Sequence, residues 1–483
     1  MNRNRNLRYF GLGFLAIILA ITISCATNPV TGDREFMLVS EQQEISMGKE
    51  YDPQVVATYG VYDDADIAAY ISDIGQRIAT VSDRPGLAYE FKVLDSPVIN
   101  AFAVPGGYVY FTRGILAYLN NEAEVVGVMG HEVGHIAARH SAKQISQQQI
   151  ATIGLGVGSI LSEDVAKYAG LAQAGLGLLF LRFGRDAERQ SDQLGVDYST
   201  KLGYDATEMA NFFGTLDKMS GGESGGLPGW FSTHPAPDER VQNVTRMAQE
   251  QQAKNPAANY EVNREKYLRK IDGLIFGDDP RQGYAEEGFF YHPELKFQFP
   301  VPADWQVVNT PSQVQIANSD QNAVILFQLA QQNTTRAAAD NFVTQANAQK
   351  VSDDAMRVHS LNAVRLVSDV NSNDGVLRVV SYFIEYEGRV YLFHGLSNKL
   401  NFSRYGDTME SCMRGFNRLT NPQKINVEPN RIRIKTVAKT GTLESTLQSF
   451  GVAADKMELH SLLNGMELTS TVSANSLIKV VGK

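Results

Sequence analysis

The segment GHEVGH at 130–135 carries two imidazoles and one carboxylate at a spacing that suits metal chemistry. Residues four apart lie on one face of a helix, so His131 and His135 can reach the same ion. Glu132 lies beside them, where it can take a proton from an attacking water molecule. Imidazole and carboxylate ligands around an open position suit zinc. The pattern therefore predicts one zinc ion per chain, with Glu132 as the catalytic base.

A third ligand must come from another part of the chain. Glu188 and Asp192 are four residues apart at a predicted helix start, so they share a face. One carboxylate of such a pair can bind the ion, while the other accepts the second ring N–H of a ligand histidine. We predict that Glu188 is the ligand and Asp192 its outer partner. In the alternative interpretation, both are solvated helix acids.

His140 is a competing candidate for the third ligand. Asn121 and Glu124 form a predicted capping box, and the helix that they open is expected to run to about Ser146. On such a helix His140 lies about 180° round from His131. We therefore predict that His140 points away from the ion and is a histidine of the helix end or an outer partner of the site.

The elements that position these residues indicate an α+β multidomain chain. Alternating and helical patterns predict a mainly helical domain with a small sheet at 28–265 and an antiparallel α+β domain at 285–420. A small βααβ module is predicted at 430–483. Two apolar stretches within 150–181 are each too short to span a bilayer. They predict either a pair of buried helices or a mobile hairpin that touches membrane or unfolded polypeptide.

Residues 1–24 are predicted to be a signal peptide. Three arginines precede an apolar run at 10–23, which is shorter than the ~20 residues needed to span a bilayer. Cys25 follows in a segment that resembles a bacterial lipobox, although Thr22 departs from the usual aliphatic residue. We expect a lipid on Cys25 that anchors the chain to a membrane. A plain secretory signal is the alternative.

Composition narrows the remaining classes of function. The net charge is −9, from 44 basic and 53 acidic residues, which gives no basic footprint for nucleic acid. Cys25 and Cys412 are the two cysteines. If Cys25 carries lipid, no intrachain disulfide can form, and stability must come from packed cores.

The motifs resemble a known peptidase family. HEVGH followed by ExxxD resembles the gluzincin arrangement, and residues 28–250 resemble the HtpX and BepA-like zinc metallopeptidases. Asn-Ala-Phe-Ala-Val-Pro-Gly-Gly at 100–107 matches the segment before the active helix in that family. Ser-Thr-His-Pro at 232–235, followed by Arg240, matches the segment after the glutamate ligand. The resemblance implies a zinc endopeptidase of the gluzincin type.

The resemblance also implies roles for further residues. His234 would lie near the zinc, either as an oxyanion donor in catalysis or as a fourth ligand that acts as a gate. A surface loop histidine is the alternative. Arg240 would steady Asp192 or the oxyanion. An edge strand for substrate addition would be provided by Asn100, Ala101, Phe102 and Ala103.

Together these features predict an exported bacterial lipoprotein at the periplasmic face of the outer membrane, which cuts unfolded or misassembled envelope proteins. An envelope chaperone with little cleavage is one alternative, and a peptidoglycan-tethered scaffold is another. The scaffold depends on residues 430–483, which weakly resemble LysM modules in element order and in Leu-Leu-Asn-Gly at 462–465. That resemblance implies binding to peptidoglycan, and a plain structural module is the competing interpretation.

Overall fold

The computed structural model describes residues 25–154, 182–220, 230, 233–234, 239–372 and 375–483. The predicted signal peptide, most of the apolar pair and residues Ser232 and Pro235 lie outside these ranges. Two compact units are formed. One holds the residues up to Gly277 together with Asn430–Gly482, and the other holds Asp278–Pro429.

The first unit begins with a hairpin, two helices and a small sheet. The bounds are β1 Cys25–Thr27, β2 Arg34–Phe36, α1 Glu41–Tyr59, α2 Ala65–Val81, β3 Glu90–Leu94, β4 Ala101–Val104 and β5 Tyr108–Thr112. The sheet has the order β3-β5-β4, with β3 parallel and β4 antiparallel to β5. Within the described residues β4 is therefore an edge strand, as the family resemblance implied, and β4 and β5 form the strand pair predicted at 100–112.

Helices make up most of the first unit between residues 113 and 270. The bounds are α3 Arg113–Tyr118, α4 Glu122–Ala137, α5 His140–Gly154, α6 Arg185–Lys201, α7 Glu208–Ser220, α8 Arg240–Gln252 and α9 Arg264–Lys270. Asn121 caps α4 by accepting a hydrogen bond from the Glu124 N–H. α4 carries the HEVGH motif and is buried along its whole length.

The prediction of one continuous helix to Ser146 was wrong. α4 ends at Ala137, Arg139 has a left-handed φ of 59°, and α5 starts at His140. Contacts from the N-terminal segment hold this break, because Glu44 accepts a hydrogen bond from Arg139 Nε and the Val39 carbonyl accepts one from Arg139 Nη2. These partners are distant in sequence, so the local helical pattern did not reveal the break.

The C-terminal segment packs within the same unit. Its bounds are β17 Arg431–Thr436, β18 Gly441–Thr442, α13 Leu443–Ser449, α14 Met457–Asn464, β19 Thr471–Val472 and β20 Leu477–Gly482, where α13 and α14 follow the helices of the second unit. The predicted order of strand, helix, helix and strand is present, and β17 pairs with β20. Ile432, Leu463 and Leu477 lie in one hydrophobic core with residues of α2, α4 and α6.

A buried lysine joins this segment to the start of the active helix. Lys479 is fully buried, and its Nζ donates to the carbonyls of Ala117 and Leu119 at 2.8 Å each. Asn464 holds the strand around Lys479, because its side chain bonds both the N–H and the carbonyl of that residue. Burial lowers the pKa of Lys479. The C-terminal segment thus closes over the turn that leads into α4.

The second unit is built on antiparallel sheets. Its larger sheet has the order β12-β13-β14-β15-β11-β10-β9, and its smaller one has the order β16-β8-β7-β6. The strands are β6 Tyr284–Glu286, β7 Phe289–His292, β8 Phe297–Pro300, β9 Gln306–Asn309, β10 Gln313–Ala317, β11 Ala323–Leu329, β12 Gln349–Val358, β13 Leu361–Ser372, β14 Gly375–Tyr386, β15 Arg389–Asn398 and β16 Asn417–Arg418. The helices are α10 Thr335–Gln345, α11 Phe402–Arg414 and α12 Pro422–Ile425.

Helices and several sheets in two units agree with the predicted mixed α and β multidomain class. Among the described residues, no helix has both the length and the apolar composition needed to cross a bilayer.

We predict that Lys479→Met destabilises the first unit. The substitution keeps much of the side-chain volume but leaves two buried carbonyls without a donor, which costs about 2–4 kcal/mol. Urea unfolding followed by tryptophan fluorescence measures this in a Trp305→Phe background, where Trp230 reports on the first unit. Lys435→Met, at an exposed position on the paired strand β17, is the control. Equal unfolding midpoints for the two variants would contradict the prediction.

Candidate metal-binding and catalytic site

Four buried side chains meet at the HEVGH motif. His131, His135, Glu188 and His234 each offer one ligand atom, and these atoms all lie within 4.8 Å of one another. The Nε2 atoms of His131 and His135 are 3.0 Å apart, and His234 Nδ1 is 3.3 Å from His131 Nε2. Ligand atoms at ~2.1 Å from a tetrahedral zinc ion are about 3.4 Å apart. The arrangement therefore fits the size of a metal centre.

Glu188 faces this group from the first turn of α6. Its Oε1 is 3.0 Å from His234 Nδ1 and 3.5 Å from His135 Nε2, and its Oε2 is 3.7 Å from His131 Nε2. Oε2 is buried and makes no hydrogen bond within the described part of the chain, and Arg240 Nη1 is the cationic group that faces it, at 3.3 Å. A metal ion would give this buried carboxylate a second positive partner. This donor set of imidazoles and one carboxylate matches the ligands of zinc.

Asp192 and Arg240 orient His131 from outside the group. Asp192 Oδ1 is 2.9 Å from His131 Nδ1, so the ring donates through Nδ1 and directs its Nε2 to the ligand group. Arg240 donates to both oxygens of Asp192, from Nη2 at 2.6 Å and from Nε at 3.0 Å. Burial alone would raise the pKa of Asp192, but Arg240 and His131 lower it overall. Asp192 therefore stays ionised as an acceptor.

Glu132 faces Nε2 of His234, whereas Glu188 faces Nδ1 of the same ring. Glu132 is buried, and its Oε1 is 3.5 Å from His234 Nε2 and makes no hydrogen bond with the described residues. Burial raises the pKa of Glu132 to about 8, although His234, Arg240 and the backbone of Ala103 act in the opposite direction. A pKa near neutrality is the range in which a carboxylate can both take and return a proton.

His234 is buried at the centre of the site. Its ring stacks on Trp230 at 4.3 Å between centroids, and the backbone N–H of His234 donates to the Trp230 carbonyl at 2.8 Å. Burial lowers the pKa of His234, but the charges of Glu188 and Glu132 outweigh this effect and raise it overall. The structure does not place His234 on the surface, which was the alternative interpretation.

His140 begins α5 and contacts His135, as expected of a histidine at a helix end or of an outer partner, but the prediction that it points away from the site was wrong. It stays outside the ligand group, but its Nδ1 is 3.0 Å from His135 Nδ1. The prediction assumed a continuous helix, on which His140 would lie opposite His131, but the helix breaks at Arg139. The sequence analysis also missed the stacking of Phe183 on His135, at 4.1 Å between centroids. No spacing pattern in the sequence marks Phe183 as a site residue.

The predicted substrate strand runs beside the site. Ala101 and Phe102 are buried on β4, while Asn100 and Ala103 are partly exposed. Within the described residues β4 pairs with β5 alone, so one of its edges is free to accept another strand. The Ile99 carbonyl, just before β4, accepts a hydrogen bond from the backbone N–H of Trp230 at 2.9 Å. This bond joins the edge strand to the segment of His234.

Comparisons with known proteins agree with this geometry. The beta-barrel assembly-enhancing protease of Yersinia pestis is 29% identical over 229 residues, which are 46% of this chain and 47% of that protein. The mitochondrial metalloendopeptidase OMA1 of Schizosaccharomyces pombe is 28% identical over 48% of this chain and 68% of its own length. Metalloprotease YcaL of Escherichia coli strain K12 is 25% identical over 47% of this chain and 95% of its own length.

The match is confined to the half of the chain that carries the site. The chain spans about half the length of the beta-barrel assembly-enhancing proteases that it matches. The model of Peptidase family M48 matches residues 66–248, which include all four members of the ligand group and Glu132. The resemblance to HtpX and BepA-like metallopeptidases is thereby confirmed for residues 66–248, the part of the chain that the model of Peptidase family M48 matches.

Proposed function

We propose that the chain is a zinc-dependent endopeptidase that cleaves unfolded or misassembled proteins of the bacterial envelope. One observation carries the proposal: the buried carboxylate of Glu132 faces a convergent group of metal ligands and lies against the edge strand β4. A base, a metal site and a surface for main-chain binding are the parts that peptide hydrolysis requires. The relatives named as proteases support the assignment.

In this proposal His131, His135 and Glu188 hold the zinc ion. When bound, zinc polarises the scissile carbonyl and lowers the pKa of a water molecule to about 7. Glu132 takes a proton from the attacking water at its carboxylate and later returns it to the leaving amine. Asp192 keeps His131 in the tautomer with Nε2 free. Arg240 keeps Asp192 ionised and in place.

The substrate is bound through its main chain. A peptide that adds to β4 exchanges backbone hydrogen bonds with Ala101 and Ala103, and this mode tolerates many side chains. It requires an extended segment, which unfolded polypeptides offer and compact domains do not. The relatives named for β-barrel assembly point to envelope proteins as the source of such segments.

The cellular setting belongs to the same proposal. A lipid on Cys25 would tether the chain at the periplasmic face of the outer membrane, where misassembled envelope proteins are found. Peptidoglycan binding by 430–483 depends on the LysM resemblance alone. The burial of Lys479 against the turn before α4 favours the structural interpretation of that segment.

We predict that Glu188→Gln loses zinc. Removing a ligand charge should weaken zinc binding by more than the roughly 10–100-fold that is typical for loss of an outer partner. The zinc content of the purified protein and competition with a chelator measure the effect. Asp186→Asn, on a fully exposed carboxylate of the same helix, should keep wild-type affinity. A Glu188→Gln protein that binds zinc as tightly as the wild type would exclude Glu188 as a ligand.

We predict that Glu132→Gln abolishes hydrolysis while zinc stays bound, because it removes the base and no ligand. Turnover of unfolded casein should fall on the order of 10²–10⁴-fold. Prevention of aggregation by the inactive variant tests the chaperone alternative in the same preparation. Equal turnover of wild type and variant would mean that another group activates the water.

We predict that His234→Ala raises the activity on unfolded casein. His234 belongs to the ligand group, where it would compete with water for the metal, so the resting enzyme should be restrained. If His234 instead stabilises the oxyanion, turnover should fall by about 10²–10³-fold. His359→Ala, on an exposed histidine of the second unit, is the control. Kinetics of His234→Ala that match this control would exclude both roles.

A further inference from the structure

A contact behind His135 is not used by the proposed reaction. The break at Arg139 turns the chain so that the His140 ring lies across the His135 ring, with centroids 4.9 Å apart and planes at 74°. His140 is buried. The outer nitrogens of the two rings face one another, with 3.0 Å between His140 Nδ1 and His135 Nδ1.

Helix α6 supplies the other partners of His140. The Gln190 side-chain oxygen is 2.9 Å from His140 Nε2, and Ser191 Oγ is 3.3 Å from His140 Nδ1. Both residues lie between Glu188 and Asp192 in the sequence. Residues 188–192 of α6 therefore contact both histidines of α4. Asp192 bonds His131 directly, whereas Gln190 and Ser191 reach His135 by way of His140.

The donor and acceptor properties of these groups determine which ring nitrogens of His140 and His135 carry protons. An amide oxygen accepts hydrogen bonds but cannot donate, so His140 Nε2 carries the proton that bonds Gln190. The Nδ1 of a neutral ring protonated at Nε2 is then an acceptor. It receives the Nδ1–H of His135 at 3.0 Å, while the Ser191 hydroxyl lies farther away, at 3.3 Å, and would compete for the same single lone pair.

This placement determines which nitrogen of His135 faces the metal site. With the proton on Nδ1, His135 Nε2 keeps its lone pair, and that atom is 3.0 Å from His131 Nε2 and 3.5 Å from Glu188 Oε1. The reverse order, with His140 donating from Nδ1, would put the His135 proton on Nε2. A ring in that state cannot coordinate through Nε2.

We propose that Gln190 and His140 form a neutral relay that fixes the tautomer of His135 and so prepares its Nε2 for the metal. His140 is a positioning residue in this relay, because it acts through His135 and touches neither metal nor substrate. The inference rests on the proposed metal site. It gives the two histidines of α4 different outer partners, a carboxylate paired with Arg240 for His131 and an uncharged chain for His135.

The first test is the tautomeric state of the metal-free full-length protein. Nitrogen-15 NMR distinguishes a protonated ring nitrogen from an unprotonated one, and His140→Asn and Gln190→Leu spectra assign the signals. We expect the proton on Nδ1 of His135 and on Nε2 of His140. A proton on His135 Nε2 would overturn the relay. This measurement needs no zinc, so its result is separate from the metal assignment.

The second test is zinc affinity by competition with a chelator. His140→Leu should weaken zinc binding by about 10–100-fold, as is typical for loss of an outer partner. His140→Asn should stay close to wild type, because its amide oxygen can replace Nδ1 as the acceptor. The relay is overturned if His140→Leu binds as tightly as wild type, or if the Asn and Leu variants are equally weak.

A second pair of variants tests the relay even if His140→Leu does not fold. Gln190→Leu removes the acceptor that sets the tautomer of His140, so it should also weaken zinc binding. Gln193→Leu is the matched control on α6, because Gln193 bonds Asp197 and not the site. Equal affinities for these two variants would contradict the relay. A wild-type protein that binds no zinc would defeat the metal assignment instead.

Discussion

Two glycines set the distance between the helices that build the site. A Cβ on Gly130 of α4 would stand 3.1 Å from the Cα of Gly195 on α6, and one on Gly134 would stand 3.1 Å from the Cβ of Leu194. Both distances are tighter than ordinary contacts, so larger residues would separate the helices. Glu188 and Asp192 reach the histidines of α4 because the two backbones approach this closely. The ligand geometry therefore depends on backbone packing as much as on ligand identity.

Charge is the second constraint on this site. Glu132, Glu188 and Asp192 are buried together, and Arg240 is the guanidinium that faces them. If all three carboxylates were ionised and the histidines neutral, one guanidinium would leave two negative charges in excess, and the raised pKa of Glu132 and of His234 reduces that excess by favouring their protonated forms. Burying such an excess is unfavourable unless protons or a cation offset it. A divalent ion between the histidines and Glu188 would provide that compensation, which agrees with the donor set.

The parts of the site that the sequence predicted are those that depend on local spacing along a helix. The two four-residue pairs, His131 with His135 and Glu188 with Asp192, follow from helix periodicity, and the structure brings both pairs to one place. The break at Arg139 could not be predicted, because Glu44 and Val39 hold it from 95 and 100 residues away. Lys479 contacts Ala117 across 362 residues, which no periodic pattern encodes. Tertiary contacts thus decided what local patterns left open.

The edge strand links this geometry to the choice of substrate. On β4 the side chains of Ala101, Phe102 and Val104 are buried, and that of Ala103 is half-buried. The strand therefore offers an incoming peptide mainly its backbone groups, and side-chain selection at this surface is weak. In the proposed function, selection would then depend on whether a segment can lie extended along β4, beside Glu132. Such a requirement would exclude folded domains by their shape and would favour unfolded polypeptides whatever their sequence.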